Sequence, residues 1–347
     1  MTDVLVVGAG IVGASVAYHA ARRGARVTLV DRSTPAAGVT GDSFAWIGST
    51  GVPPGPVADL RRSATREYRR LEGELPGVRV RWTGSLSWGG PWSPPGDGQR
   101  EVDAAEVAAL EPHLREPPER ALHLPGDGAV DPVAVTDALV AGAREHGAEL
   151  RVGTAVRALR LADGRVTGVE TSAGPLHAPT VVLAAGTDVP ALCAPIGVRV
   201  PVAPSPAVLL RFAASGTVVR TLVATPDVEA RQAADGTVLA TVAHSLELTL
   251  PQLADRAAAR LDAMFRGAQD LRLTGVAVGR RPVPADGEPV VGPVPGVPGL
   301  HLAVLHSGVS LAAAVGRLAA LQVVDGVDVP ELRGCRPGRE EQPSRST

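Results

Sequence analysis

Near its start the chain reads Val4-Leu5-Val6-Val7-Gly8-Ala9-Gly10-Ile11-Val12-Gly13, and Val27-Thr28-Leu29-Val30-Asp31 closes the unit. Glycines at this spacing, set between an apolar strand and a helix, are suited to holding a pyrophosphate against backbone. Gly8 permits a tight turn, Gly10 lets phosphates approach, and Gly13 lets helix and strand pack closely. The phosphates then meet the free N–H groups of Ile11 and Val12 at the positive end of the helix. Asp31 is placed to hold both ribose hydroxyls and to repel a 2′-phosphate. A glycine-rich turn without ligand is the bland alternative, and it leaves strand, helix, second strand and acid in register unexplained.

Other chemistry is limited by what the chain lacks. It contains no lysine and no asparagine, while Ala, Gly, Arg and Pro abound. A GC-rich genome accounts for the bias. The consequence is chemical all the same: no lysine is available as an active-site base or as a cation that activates oxygen. The two cysteines, Cys193 and Cys335, are far apart and suggest neither a disulfide framework nor a metal site.

The elements that must carry these groups follow from patterning. With 347 residues, 45% hydrophobic content and a net charge of -2, the chain can bury a large core, as two domains or one large interrupted one. Nothing biases it toward nucleic acid or anionic membrane. No stretch approaches the ~20 apolar residues of a membrane span, and the first strand leaves no room for a signal peptide, so a cytoplasmic location is expected. A helix is read over Ile11–Arg23, followed by a small, polar loop through Thr40, Gly41, Ser43, Phe44 and Trp46. Helices are then expected over Val57–Leu75, Asp103–Leu110, Pro132–His146, Pro251–Arg266 and Gly308–Asp325. Strands are read at Arg79–Trp82, Ser85–Trp88, Glu149–Val152, Val156–Leu161, Val166–Thr171 and His301–Leu305. Thr180-Val181-Val182-Leu183-Ala184-Ala185-Gly186 reads as a buried parallel strand ending in small residues. Residues 199–241 alternate and carry turn signals, which predicts an antiparallel sheet. Beyond Pro330 the sequence reads as a frayed tail.

Several separated segments then agree. The fingerprint, the Thr40–Trp46 loop, Leu110-Glu111-Pro112, Gly128–Pro132, Val181–Gly186, Gly279-Arg280-Arg281-Pro282 with Asp286-Gly287, and His306-Ser307-Gly308-Val309-Ser310 together resemble the FAD-dependent D-amino-acid oxidase, glycine oxidase and sarcosine oxidase superfamily. The likeness runs along nearly the whole chain. It implies an α/β fold: a glutathione-reductase-type, FAD-binding Rossmann domain, interrupted by a substrate domain with a mainly antiparallel sheet. The implied FAD domain takes 1–78, 128–197 and 272–330. The substrate domain takes 79–127 and 198–271, and 331–347 forms a flexible tail.

By the same likeness Gly8, Gly10, Gly13 and Asp31 hold the ADP half, Arg32 flanks the adenosine, and Val156 contacts adenine through its backbone. Thr40, Gly41 and Ser43 pass beside pyrophosphate and flavin, and Ala185 and Gly186 end their strand beside the cofactor. Arg280 and Ser307 flank the flavin site. Gly308, Val309 and Ser310 open a helix whose N–H groups can stabilise negative charge on the reduced flavin. Relatives that bind flavin covalently use a cysteine near position 279, which is glycine here, so dissociable FAD is expected. Cys193 is read as a small packed residue and Cys335 as incidental.

Amine oxidation asks the protein mainly for placement, since the flavin N5 accepts the hydride. Arg281 occupies the position at which related amine oxidases keep a carboxylate-binding arginine, and its planar fork suits that role. The alternatives are solvent or a pair with Asp286. His306 either contacts ring or substrate or belongs to the helix cap. His244 lines the pocket or is a satisfied structural histidine, the commoner fate. Arg231 reaches pocket or surface, and Trp46 or Phe44 forms an aromatic wall. Phe44 and Ile47 stand where sarcosine-oxidase-like members carry an arginine, and the oxygen-activating lysine is missing. These departures speak against a fast oxidase of that type.

The leading reading is oxidation of the C–N bond of a small amino or imino acid, or secondary amine, to an imine that hydrolyses. Oxygen, a quinone or a protein serves as electron acceptor, and an oligomer is possible. A 2-hydroxy acid oxidoreductase and a flavin-bearing subunit of a larger complex are the alternatives. A nicotinamide-linked dehydrogenase explains only the N-terminal fingerprint.

Overall fold

The computed structural model describes residues 2–48, 55, 57–92 and 94–339. Its centre is a six-stranded sheet in the order Val290–Pro293, Leu300–Val304, Thr180–Leu183, Val4–Val7, Val27–Val30 and Glu149–Arg151. All neighbours are parallel except the antiparallel pair Val290–Pro293 with Leu300–Val304. Val4–Val7 and Val27–Val30 are buried at every residue, as strands covered on both faces must be. The helices Ile11–Arg22 and Gly308–Asp325 pack together within one core cluster that also holds the Pro132–Glu145 helix.

A second sheet of eight strands runs Arg272–Pro284, Val202–Ala213, Val238–Ala243, Glu229–Gln232, Leu222–Ala224, Ser85–Ser87, Arg120–Leu124 and Arg100–Asp103. Only the Leu222–Ala224 and Ser85–Ser87 pair is parallel. The helix Leu250–Met264 covers it through Leu253, Ala257 and Leu261. That helix begins on a reciprocal cap: Thr249 and Gln252 each satisfy the other's backbone N–H. Asp131 likewise caps the Pro132–Glu145 helix by accepting from Val133 and Ala134.

Four expectations are corrected. The helix read as Val57–Leu75 is two, Ala58–Arg62 and Ala64–Glu74, because the Ser63 hydroxyl bonds back to the Leu60 carbonyl at 2.7 Å. The substrate-domain boundary at residues 271 and 272 is misplaced. Arg272–Pro284 is the edge strand of the eight-stranded sheet, paired along its length with Val202–Ala213. The tail is folded as far as residue 339: Leu332 and Cys335 are buried against the core, and Arg339 grips Asp286 at 2.8 and 3.0 Å. Residues 340–347 lie outside the described residues. Finally, Gly308–Asp325 is apolar and long enough to cross a membrane by composition, contrary to the expectation that no segment is. Leu311, Val315 and Leu318 bury it within this fold.

Candidate active site

One cavity of about 1410 Å³ runs between the parallel sheet and the large antiparallel one. Its walls include Gly8 and Gly10 of the glycine turn, Asp31 and Arg32, Val156, Thr40 and Asp42 to Trp46 of the loop, Ala185 and Gly186, Arg280 and Arg281, and His306 to Ser310. Gly41, expected among them, is not on the wall. Segments from both ends of the chain therefore share one space. It is larger than the ~300–1,000 Å³ typical of small-ligand pockets and has room for a dinucleotide beside a small substrate.

The glycine turn shows why its residues are what they are. Gly8 has φ +104, and a Cβ there would lie 2.6 Å from the Ala184 carbonyl oxygen. A Cβ at Gly13 would lie 1.9 Å from the Gly8 carbonyl oxygen, so only glycine lets helix and turn close. The helix beginning at Ile11 has no acid in its first turn and no side-chain cap from Gly10. Thr40 instead reaches in from the loop and accepts from Ile11 N at 3.2 Å.

Asp31 accepts from Ala9 N at 2.7 Å and from Ser33 N at 2.7 Å. A carboxylate has about four acceptor positions, so capacity is left for ribose hydroxyls. Arg32 pairs with Asp188 at 2.9 Å across the same rim. At the other end, Gly308 to Ser310 begin the long helix, again with no acid in the first turn and no side-chain cap. Ser310 gives its hydroxyl to the Trp46 carbonyl at 2.6 Å, which ties the helix start to the loop. The glycine cradle, two helix starts without an acid in their first turns on one cavity, and a ribose-compatible acid at one end fit FAD.

The other candidates separate. Arg281 faces the cavity and is steadied by Ser205, with Nη2 to the hydroxyl at 2.9 Å and Nε to the carbonyl at 3.3 Å. It does not pair with Asp286, which Arg339 holds. Arg280 beside it is exposed on the lining. His306 lines the cavity, and burial pushes its pKa down to about 4, helped by Arg281 and Arg61, so it is neutral at physiological pH. Trp46 and Phe44 form a wall, their ring centroids 6.3 Å apart. Trp46 is fixed by donating to Asp127 at 2.8 Å.

Two candidates leave the site. Arg231 is buried, and its guanidinium donates to the Phe44 carbonyl at 2.6 Å and the Val130 carbonyl at 3.0 Å. It clamps the loop rather than facing the cavity. His244 follows the end of the strand Val238–Ala243 and is absent from the cavity walls.

Sequence reasoning missed Glu229. It lines the cavity, and burial raises its pKa against the pull of Arg281. Its alternation with Arg231 placed both on one face of a strand, but nothing in the sequence said which face met the cavity.

The sequence model of the FAD dependent oxidoreductase family, DAO, matches residues 3–322. The chain belongs to that family. A D-amino acid dehydrogenase of Cereibacter sphaeroides is 34% identical to this DAO-family chain over 263 residues, covering 70% of the chain and 60% of that relative's length. The glycine oxidase of Pseudomonas aeruginosa is 28% identical over 349 residues, covering 91% of the chain and 93% of that protein. The crystal structure of iminodiacetate oxidase from Chelativorans sp. BNC1 superposes with a TM-score of 0.84 at 26% identity, covering 96% of this chain and 98% of that one.

Proposed function

We propose that this chain oxidises the carbon–nitrogen bond of a small amino or imino acid, or secondary amine, to an imine that water hydrolyses. Bound FAD supplies the chemistry by accepting a hydride from the carbon that bears the nitrogen. The protein's own residues bind, orient and shield. Arg281, splayed into the cavity from the edge strand and braced by Ser205, takes the substrate carboxylate in a two-pronged ion pair. Phe44 and Trp46 wall the site and limit water. Neutral His306 can accept or donate one hydrogen bond without adding a second cation beside Arg281.

FAD is held without a covalent link. Supporting this, Gly279 stands on the cavity wall, and Cys193 and Cys335 are buried in packed cores away from it. The chain's lack of lysine favours a quinone or protein electron acceptor, or slow reaction with oxygen. The observation that carries the reading is the Arg281 fork facing the same cavity as the Gly308 helix start. The test is anaerobic bleaching of the bound flavin by a panel of amines, amino acids and 2-hydroxy acids, with ammonia or amine release measured. Bleaching by amino or imino acids with release of nitrogen supports the reading. Bleaching by hydroxy acids alone, or purified protein that takes up no FAD, overturns it.

A further inference from the structure

Among the charged side chains on one side of the large sheet, Glu229, Arg231, Arg211 and Arg281 belong to its four strands from Arg272–Pro284 to Glu229–Gln232. Glu229 stands opposite Thr241, Thr241 opposite Leu209, and Leu209 opposite Ala277, with no slip between these pairs. Directly opposed residues share a face, and every second residue along a strand returns to it. Arg281 therefore projects from the same face as Glu229, as do Arg211 and Arg231.

Arg211 and Arg231 are already occupied. Arg211 donates to the Gly41 carbonyl at 2.6 Å, and Arg231 spans the Phe44 and Val130 carbonyls. Those two hold the loop against the sheet. Glu229 and Arg281 are the pair left facing the cavity. They lie close enough for the charge of Arg281 to act on Glu229, and among the described residues no donor hydrogen-bonds to the Glu229 carboxylate.

A half-buried carboxylate on a cavity wall without a hydrogen-bond donor favours a ligand that brings one. We propose that Glu229 selects substrates by receiving a cationic nitrogen, while Arg281 takes their carboxylate. The site then recognises a zwitterion and disfavours 2-hydroxy acids and dicarboxylates. Those leave Glu229 without a charged donor or set a second anion against it. This inference rests on the amino-acid reading above and adds the residue that enforces it.

The experiment uses the FAD-loaded full chain and equilibrium binding, read from the visible flavin spectrum under anaerobic conditions. Ligands are amino or imino acids and their matched carboxylates without nitrogen, titrated into the wild type, Glu229→Gln and Arg281→Ala. Glu229→Gln is expected to weaken nitrogen-bearing ligands roughly tenfold or more, the ordinary worth of a charge-assisted hydrogen bond. Carboxylates without nitrogen should bind within about twofold of wild type or tighter, because an anion has been removed nearby. Arg281→Ala should weaken both classes. Diamino acids in the panel locate the nitrogen: loss for all amino acids assigns the α-nitrogen, and loss for diamino acids alone assigns the side-chain nitrogen.

Equal loss for both classes in Glu229→Gln, or none for either, overturns the inference while bleaching by amino acids keeps the activity standing. A wild type that answers only to hydroxy acids overturns both. Should the glutamine variant fail to hold FAD, Glu229→Thr, which suits a strand, carries the same comparison.

Discussion

Arg281 is braced by the residue directly across the ladder from it: its Nη2 lies 2.9 Å from the Ser205 hydroxyl on the neighbouring strand. The brace leaves the rest of the guanidinium free to meet a carboxylate. Arg281→Ala should raise KM for carboxylate substrates roughly 10²-fold, about 2–3 kcal/mol of lost binding. FAD content should stay at the wild-type level. Steady-state kinetics and the flavin absorbance ratio check this, and an unchanged KM removes Arg281 from the site.

The glycine turn has no slack. Gly13→Ala would drive a Cβ to 1.9 Å from the Gly8 carbonyl oxygen, so turn and helix must separate. We expect protein purified with little or no flavin and destabilised by roughly 1–3 kcal/mol. The flavin-to-protein absorbance ratio and a thermal melt report the two effects. Full flavin content would show that the turn does not hold the cofactor.

Arg231 supports the site without facing it. Removing its guanidinium leaves the Phe44 and Val130 carbonyls without their buried donor. Arg231→Met should therefore cost about 2–4 kcal/mol, two buried acceptors left unmet. Tm should fall by several degrees, with a smaller effect on KM than that of Arg281→Ala. A larger effect on KM with no change in Tm would place Arg231 in the substrate site.

Three histidines set an acid limit. Burial holds His19 down at about 3, and His301 and His306 at about 4, against an ordinary value near 6.5. Between about 4 and 6.5 the unfolded chain therefore binds more protons than the folded one. Their contribution is fully present above pH 6.5 and is lost as pH falls through that window, several kcal/mol in total by proton linkage. Carboxylates lowered by arginine partners, such as Glu67 and Asp286, add to the loss at the acid end. Melts from pH 7.5 to 4 should show Tm dropping steadily below pH 6.5. A flat profile down to pH 4.5 contradicts the burial of neutral imidazoles.

Local chemistry made much of this protein legible. Gly8, Gly10, Gly13 and Asp31 stand out in the sequence because they lie in one contiguous strand–turn–helix–strand unit, where the approach of Gly13 to the Gly8 carbonyl and the charge of the helix start are local effects. The helix expected over about Gly308 to Asp325 forms over Gly308–Asp325, a long apolar run. The separated segments around Gly279–Pro282 and His306–Ser310 carried the family likeness. The tertiary structure alone decided which face of each strand met the cavity, because a period of two leaves both faces open until register is set. Arg231 and Glu229 alternate on one strand, yet pairing with the loop carbonyls took Arg231 and left Glu229 facing the cavity. The same holds for the end of the chain. A polar, proline-containing segment reads as loose until long-range contacts bury Cys335 and bring Arg339 onto Asp286.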